Sequence, residues 1–113
     1  MKAGDRYLVR DVTCSMSGRD LAVWDLSVGG LFAACEDPPM LGQTVSLDLR
    51  LPGRDTFSIL ALVTWINRPD RARAPDLPQG FGVKVTRIAF PDKLALLDLL
   101  KRAGLRATRR GGQ

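Results

Sequence analysis

Val45-Ser46-Leu47-Asp48-Leu49-Arg50-Leu51, the turn Pro52-Gly53-Arg54-Asp55 and the run Thr56-Phe57-Ser58-Ile59-Leu60-Ala61-Leu62-Val63-Thr64-Trp65-Ile66 decide the fold class. In the first segment Val45, Leu47, Leu49 and Leu51 alternate with Ser46, Asp48 and Arg50. That period of two puts one apolar and one polar face on an extended strand. In the second, Phe57, Ile59, Ala61, Val63 and Trp65 share a side. Pro-Gly between two alternating runs reads as a turn, so the pair predicts a β-hairpin.

The same pattern continues on both sides. A strand starting between Tyr7 and Asp11 and ending near Met16 leads through Ser17-Gly18 into another, from Arg19 to Asp25. Leu31 to Cys35 follows Gly29-Gly30, and Pro38-Pro39-Met40-Leu41-Gly42 is a loop. Asn67 to Gln79 reads as a second loop, with three prolines and with Arg68, Arg71 and Arg73. Gly80-Phe81-Gly82-Val83-Lys84-Val85 is a sixth strand, whose two glycines on one face predict close backbone approach or strong curvature. One helix is predicted over residues 91–103, starting at Pro91-Asp92, with Leu94, Leu97 and Leu100 as its stripe and Leu96 and Leu99 widening it. Six short strands and a terminal helix predict an all-β fold: a closed six-stranded antiparallel β-barrel with one C-terminal α-helix over an opening.

The chain of 113 residues suits one domain, and a hydrophobic fraction of 45% argues against disorder. Net charge is +5, but its distribution matters more. Lys101, Arg102, Arg106, Arg109 and Arg110 fall in the last 13 residues without an acid, leaving 12 basic and 12 acidic residues in the first 100. The body is neutral. Residues 104–113 are expected to form a basic flexible tail behind a domain spanning 1–103. There is no histidine, which removes the side chain most used for proton transfer near neutral pH and the commonest metal ligand. Cys14 and Cys35 form no metal pattern and read as buried free thiols. Glu36 has only Asp37 as a neighbouring carboxylate, and no glycine pair makes a phosphate loop, so no enzyme, cofactor or metal is expected. No apolar segment follows Met1-Lys2-Ala3-Gly4-Asp5-Arg6, and no stretch approaches the roughly 20 apolar residues of a membrane span. A cytoplasmic protein is expected.

Two segments remain for chemistry: Arg6-Tyr7-Leu8-Val9-Arg10, and Asp25-Leu26-Ser27-Val28-Gly29-Gly30-Leu31. Either alone is weak, since Asp, Ser and Gly also suit a plain turn. Their order within the strand pattern resembles the PilZ domain family, bacterial receptors for the second messenger cyclic di-GMP. The second segment is similar to the family's (Asp/Asn)-x-Ser-x-x-Gly motif, and Arg6 and Arg10 match the spacing of its Arg-x-x-x-Arg motif. Val63-Thr64-Trp65-Ile66 and Gly80 to Val85 are similar to its late strands.

The resemblance implies a ligand site of Arg6, Arg10, Asp25, Ser27, Gly29 and Gly30, with residues 1–10 as the arm that wraps the ligand. The ligand chemistry fits. Arginine's planar fork grips phosphate or the O6/N7 edge of guanine. Asp25 can accept from a guanine's N1–H and N2–H, Ser27 offers a hydroxyl, and Gly30 allows close backbone approach. Lys2, Arg6 and Arg10 against Asp5 give the arm a local excess of positive charge. A second register pairs Lys2 with Arg6 instead; Arg6 belongs to both.

The expected function is a single-domain cyclic di-GMP receptor that orders its arginine arm and thereby alters contacts with a partner protein. Two alternatives stand beside it: a PilZ-fold adaptor that does not bind the ligand, acting for example in motility, and a small nucleic-acid-binding barrel using the basic tail. The neutral body argues against the latter. Trp24 and Trp65 are expected to pack in the core or at the barrel rim, and Arg68, Arg71 and Arg73 to sit on a solvated loop. The extra leucines 96 and 99 leave room for a partner surface on the helix.

Overall fold

The computed structural model describes residues 6–9, 11–68, 76–104 and 109–110. The strands are β1 (Arg6–Leu8), β2 (Thr13–Met16), β3 (Arg19–Ser27), β4 (Gly30–Ala34), β5 (Thr44–Arg50), β6 (Phe57–Asn67), β7 (Gly80–Arg87) and β8 (Arg109–Arg110), with helix α1 (Phe90–Gly104) between the last two. All strand pairings are antiparallel. Neighbours run β2-β5-β6-β7-β4-β3, and β2 also pairs with β3, which closes six strands into a barrel. The closed six-stranded barrel with a terminal helix is therefore the observed fold. Closure removes the open edges that invite aggregation.

The predicted hairpin is β5–β6, with Val45 opposite Ala61 and Leu47 opposite Ile59. Val45, Leu47 and Leu49 point inward and are buried, as are Phe57, Ile59, Ala61 and Val63. The join between β2 and β3 is a two-residue turn, with Ser17 at φ 51° and Gly18 at φ 80°. Positive φ at both central residues matches the right-handed twist of a tight hairpin.

The amino-terminal strand is split. β1 and β2 both lie along β3, joined by hydrogen bonds from Val9 N to Trp24 O (3.2 Å) and from Val23 N to Val12 O (3.1 Å), with Asp11 at φ 62° between them. The expected arm over residues 1–10 thus contains a strand. At the other terminus Arg109 and Arg110 pair with Tyr7 and Arg6, so this part of the expected flexible tail forms β8.

Two apolar assignments move. In β6 the register shifts between Val63 and Trp65, leaving Thr64 as an extra residue. Beyond it Ile66 packs on the core, and Trp65 turns to the outer face over Gly82 and beside Phe32, ring centroids 5.1 Å apart. Trp65 therefore leaves the inward row that alternation assigns it. On α1 the core face is Leu96 and Leu100, with Leu99 packed against it, whereas Leu94 is exposed. Leucines at 94, 96, 97, 99 and 100 satisfy more than one helical face, and docking on the barrel selects among them. The β5–β6 turn meets the start of α1 through the Arg54–Asp92 ion pair.

Gly80 and Gly82 bear out the close approach expected of them. A Cβ on Gly80 would run into the Ala33 carbonyl, and one on Gly82 into the Trp65 indole. Backbone cannot move aside as a side chain can. Gly80→Ala is accordingly expected to cost about 3 kcal/mol and Gly82→Ala less, read by urea unfolding.

Cys14 and Cys35 are free and buried in the core. Burial first, then the nearby Cys35 and Asp20, push the Cys14 thiol from 9.0 up to about 12. The folded thiol holds its proton more tightly than the unfolded one, so its contribution is full below pH 9.0 and lost as pH climbs toward about 12. Unfolding free energy should fall over that window, and Cys14→Ala should flatten the fall.

Candidate functional site

β3 carries Leu21 and Val23 inward, and simple alternation would send Asp25 after them. It does not. Val23 pairs with Ala33 and Asp25 with Phe32, so Trp24 is one residue more than β4 can match. Such a bulge re-aims the side chains beyond it. Leu26 then packs in the core, while Asp25 and Ser27 belong to the opposite, outer face. Trp24 is 41% exposed, a surface residue and not a core one.

Asp25 and Ser27 thus lie within β3, Gly30 starts β4, and the turn proper is only Val28-Gly29. The Ser27 hydroxyl donates to the Gly30 carbonyl (3.2 Å) and accepts from the Gly29 amide (3.3 Å). Both contacts are internal to the hairpin, so Ser27 holds the turn. The Gly29 carbonyl accepts from Val85 N at 2.8 Å, tying the turn to β7. Gly29 is exposed, does not adopt a positive φ, and a Cβ there would meet nothing within 4 Å. The fold itself does not demand glycine at 29.

Asp25 is 1% exposed although it lies on the outer face. Its register partners are Leu8 on β1 and Phe32 on β4, and Phe32 in turn faces Gly82 and, beyond it, Trp65. Arg6 opens β1, one position past the Tyr7–Leu26 pair, which brings it level with Ser27. Arg10, Lys2 and Asp5 lie outside the described residues. The fold therefore brings Asp25, Ser27, Gly29 and Gly30 together on one hairpin and sets the Arg6 strand alongside.

One cation on this face escaped the sequence reading. Lys84 pairs with Gly30 across β4–β7 and is exposed. Its signal was available, since alternation with Val83 and Val85 already puts it on the outer side of the sixth strand. Two open clefts, of about 640 and 520 Å³, lie elsewhere: one is lined by Ser17, Pro39 and Asp48, the other by Arg19, Cys35 and Gln79. Neither includes a residue of the motif. Among the described residues no three His, Cys, Asp or Glu side chains cluster to hold a metal. No helix of the described residues is long and apolar enough to cross a membrane.

Comparison with known proteins bears on the fold and the family. Among solved structures, the chain is similar to the Bacillus subtilis inhibitor of motility MotI/DgrA, with a TM-score of 0.68 and 24% identity over 93% of this chain. That match takes in 52% of the other protein, so this chain spans about half its length. No curated protein matches the chain. The PilZ domain matches residues 9–102, which hold all six barrel strands and most of α1. With the Asp25–Gly30 hairpin and the closed six-stranded barrel both in place, the chain belongs to the PilZ domain family.

Proposed function

We propose that this PilZ domain binds cyclic di-GMP on the outer face of the β3–β4 hairpin and passes the signal to a partner protein through its amino-terminal arm. The observation that carries this is the hairpin itself. Asp25 and Ser27 are swung to the outer face by a bulge, next to a glycine at 29 that the fold does not require and beside the strand that bears Arg6.

Each group has a distinct task. Asp25 accepts from the N1–H and N2–H of a guanine. Ser27 is a positioning residue, because its hydroxyl is committed to Gly29 and Gly30. Gly29 and Gly30 let the ligand approach backbone. Arg6 and Arg10 supply planar forks for phosphate or for the guanine O6/N7 edge.

The burial of Asp25 supplies the switch. Asp25 is buried and its register partner Leu8 belongs to the strand of the arm, so movement of that strand away from β3 is the step by which a ligand would gain the carboxylate. Binding then re-seats the arm around the phosphates and changes the surface a partner meets. A second reading, an adaptor that binds no ligand, is favoured by one observation. Phe90 and Leu94, one turn apart on α1, are 69% and 49% exposed and offer an apolar contact independent of the motif.

Calorimetry separates the two readings. The receptor gives a saturable heat with cyclic di-GMP at roughly tens of micromolar, and the absence of any such heat sinks it. Arg6→Ala should weaken binding by about tenfold or more. If Lys2→Ala abolishes binding while Arg10→Ala does not, the arginine pair is Lys2/Arg6 and not Arg6/Arg10.

Stability measurements separate the roles of the hairpin residues. Ser27→Ala should destabilise the free protein by about 1 kcal/mol, through the two lost hydrogen bonds. Gly29→Ala should leave the melting temperature unchanged and still reduce affinity.

A further inference from the structure

We propose that Lys84 is a ligand-binding residue of this site, meeting a phosphate of the cyclic dinucleotide from the side opposite the arm. The inference rests on the cyclic di-GMP reading above and adds to it a cation that lies outside both sequence motifs.

The placement comes from the ladder. Gly30 pairs with Ser27 on one side and with Lys84 on the other. Directly paired residues on antiparallel strands have neighbouring side chains on the same face, roughly 5 Å apart at Cβ. Gly30 has no side chain, so Ser27 and Lys84 border the space above it. Val83 packs in the core and Val85 against it, which leaves Lys84 on the outer face with the motif, and it is exposed there. The Val85–Gly29 backbone hydrogen bond of 2.8 Å holds β7 against the turn, so the position of Lys84 relative to the hairpin is fixed by the main chain.

Charge supports the same assignment. Among the described residues Lys84 enters no ion pair, whereas Arg54 and Arg102 are held by Asp92 and Asp98. The segment Asp25–Gly30 contributes one carboxylate, Asp25, and no cation, so a dianion resting on it needs positive charge from neighbouring strands. β1 with Arg6 and β7 with Lys84 bracket β3 and β4. A lysine ammonium is a mobile point charge on a long stem, suited to a phosphate oxygen and not to bidentate reading of a base.

Titration of the full chain with cyclic di-GMP tests this, using wild type, Lys84→Ala, Lys84→Arg and Lys93→Ala, each checked by thermal melting. Lys84→Ala should bind about tenfold more weakly with an unchanged melt, and its affinity should depend less steeply on salt. Lys84→Arg should stay within about threefold, and Lys93→Ala, exposed on α1, should match wild type. Wild-type binding with Lys84→Ala unaffected overturns the role of Lys84 and leaves the receptor reading standing. No binding by wild type overturns the receptor reading, and this inference falls with it.

Discussion

Trp24 is the residue that β3 cannot match against β4, and the outer face depends on it. Leu21, Val23 and Asp25 sit two apart, so an unbroken strand would carry the Asp25 carboxylate into a core built of Cys14, Leu31, Leu47 and Val63. An ionised carboxylate there, without compensating partners, would cost several kcal/mol. By inserting one position the bulge takes the carboxylate out of that apolar core and leaves it buried on the outer face. Leu26 takes the inward place, and Asp25 and Ser27 leave the core together. The motif and the core are therefore compatible only because the strand is irregular, and a one-residue slip elsewhere in a half-buried strand would have exchanged its faces.

A second irregularity gives the hairpin a firm backing. Thr64 is the extra residue of β6, and past it Trp65 lies on the outer side, above Gly82 and against Phe32. Asp25, Phe32, Gly82 and Trp65 form one row across β3, β4, β7 and β6. Gly82 leaves the gap that lets two aromatic side chains on strands two apart touch. The outer face thus has a packed layer of its own beneath the candidate ligand surface, in which Phe32 is as buried as any core residue.

This division explains which features were legible in the sequence. The β5–β6 hairpin was legible because period-two alternation and a Pro-Gly turn are local signals, and Gly80 and Gly82 were legible because nothing else on that strand explains their shared face. The bulges at Trp24 and Thr64 were not. Thr64 stands in a stretch whose residue types fit regular alternation, and around Trp24 the apolar phase changes between Val23 and Leu26 without marking the place, so only the partner strand reveals which position is surplus. The helix face was undetermined for a related reason: five leucines between 94 and 100 offer competing stripes, and contact with the barrel decides. For the candidate site, the motif names Asp25, Ser27, Gly29 and Gly30, and the fold gathers them on one hairpin. The motif does not reach Lys84, whose relation to Gly30 exists only through pairing between strands 54 positions apart.

Where the arm attaches bears on how a signal could leave the domain. β1 is three residues long, and its ladder to β3 comprises Tyr7–Leu26 and Leu8–Asp25, whereas β4 to β7 is paired over five positions. Short ladders open at lower free energy than long ones, and although β1 also pairs with β8 on its other edge, neither ladder belongs to the closed barrel, so β1 can separate from β3 without opening it. The barrel does not need β1, because β2 closes it against β3 on its own. In the proposed function, a ligand reaching for the buried Asp25 carboxylate works against this short ladder, and the phosphates it brings carry the charge opposite to the arm's. On the proposed reading, recognition and release of the arm are then one event, located where the fold has least to lose.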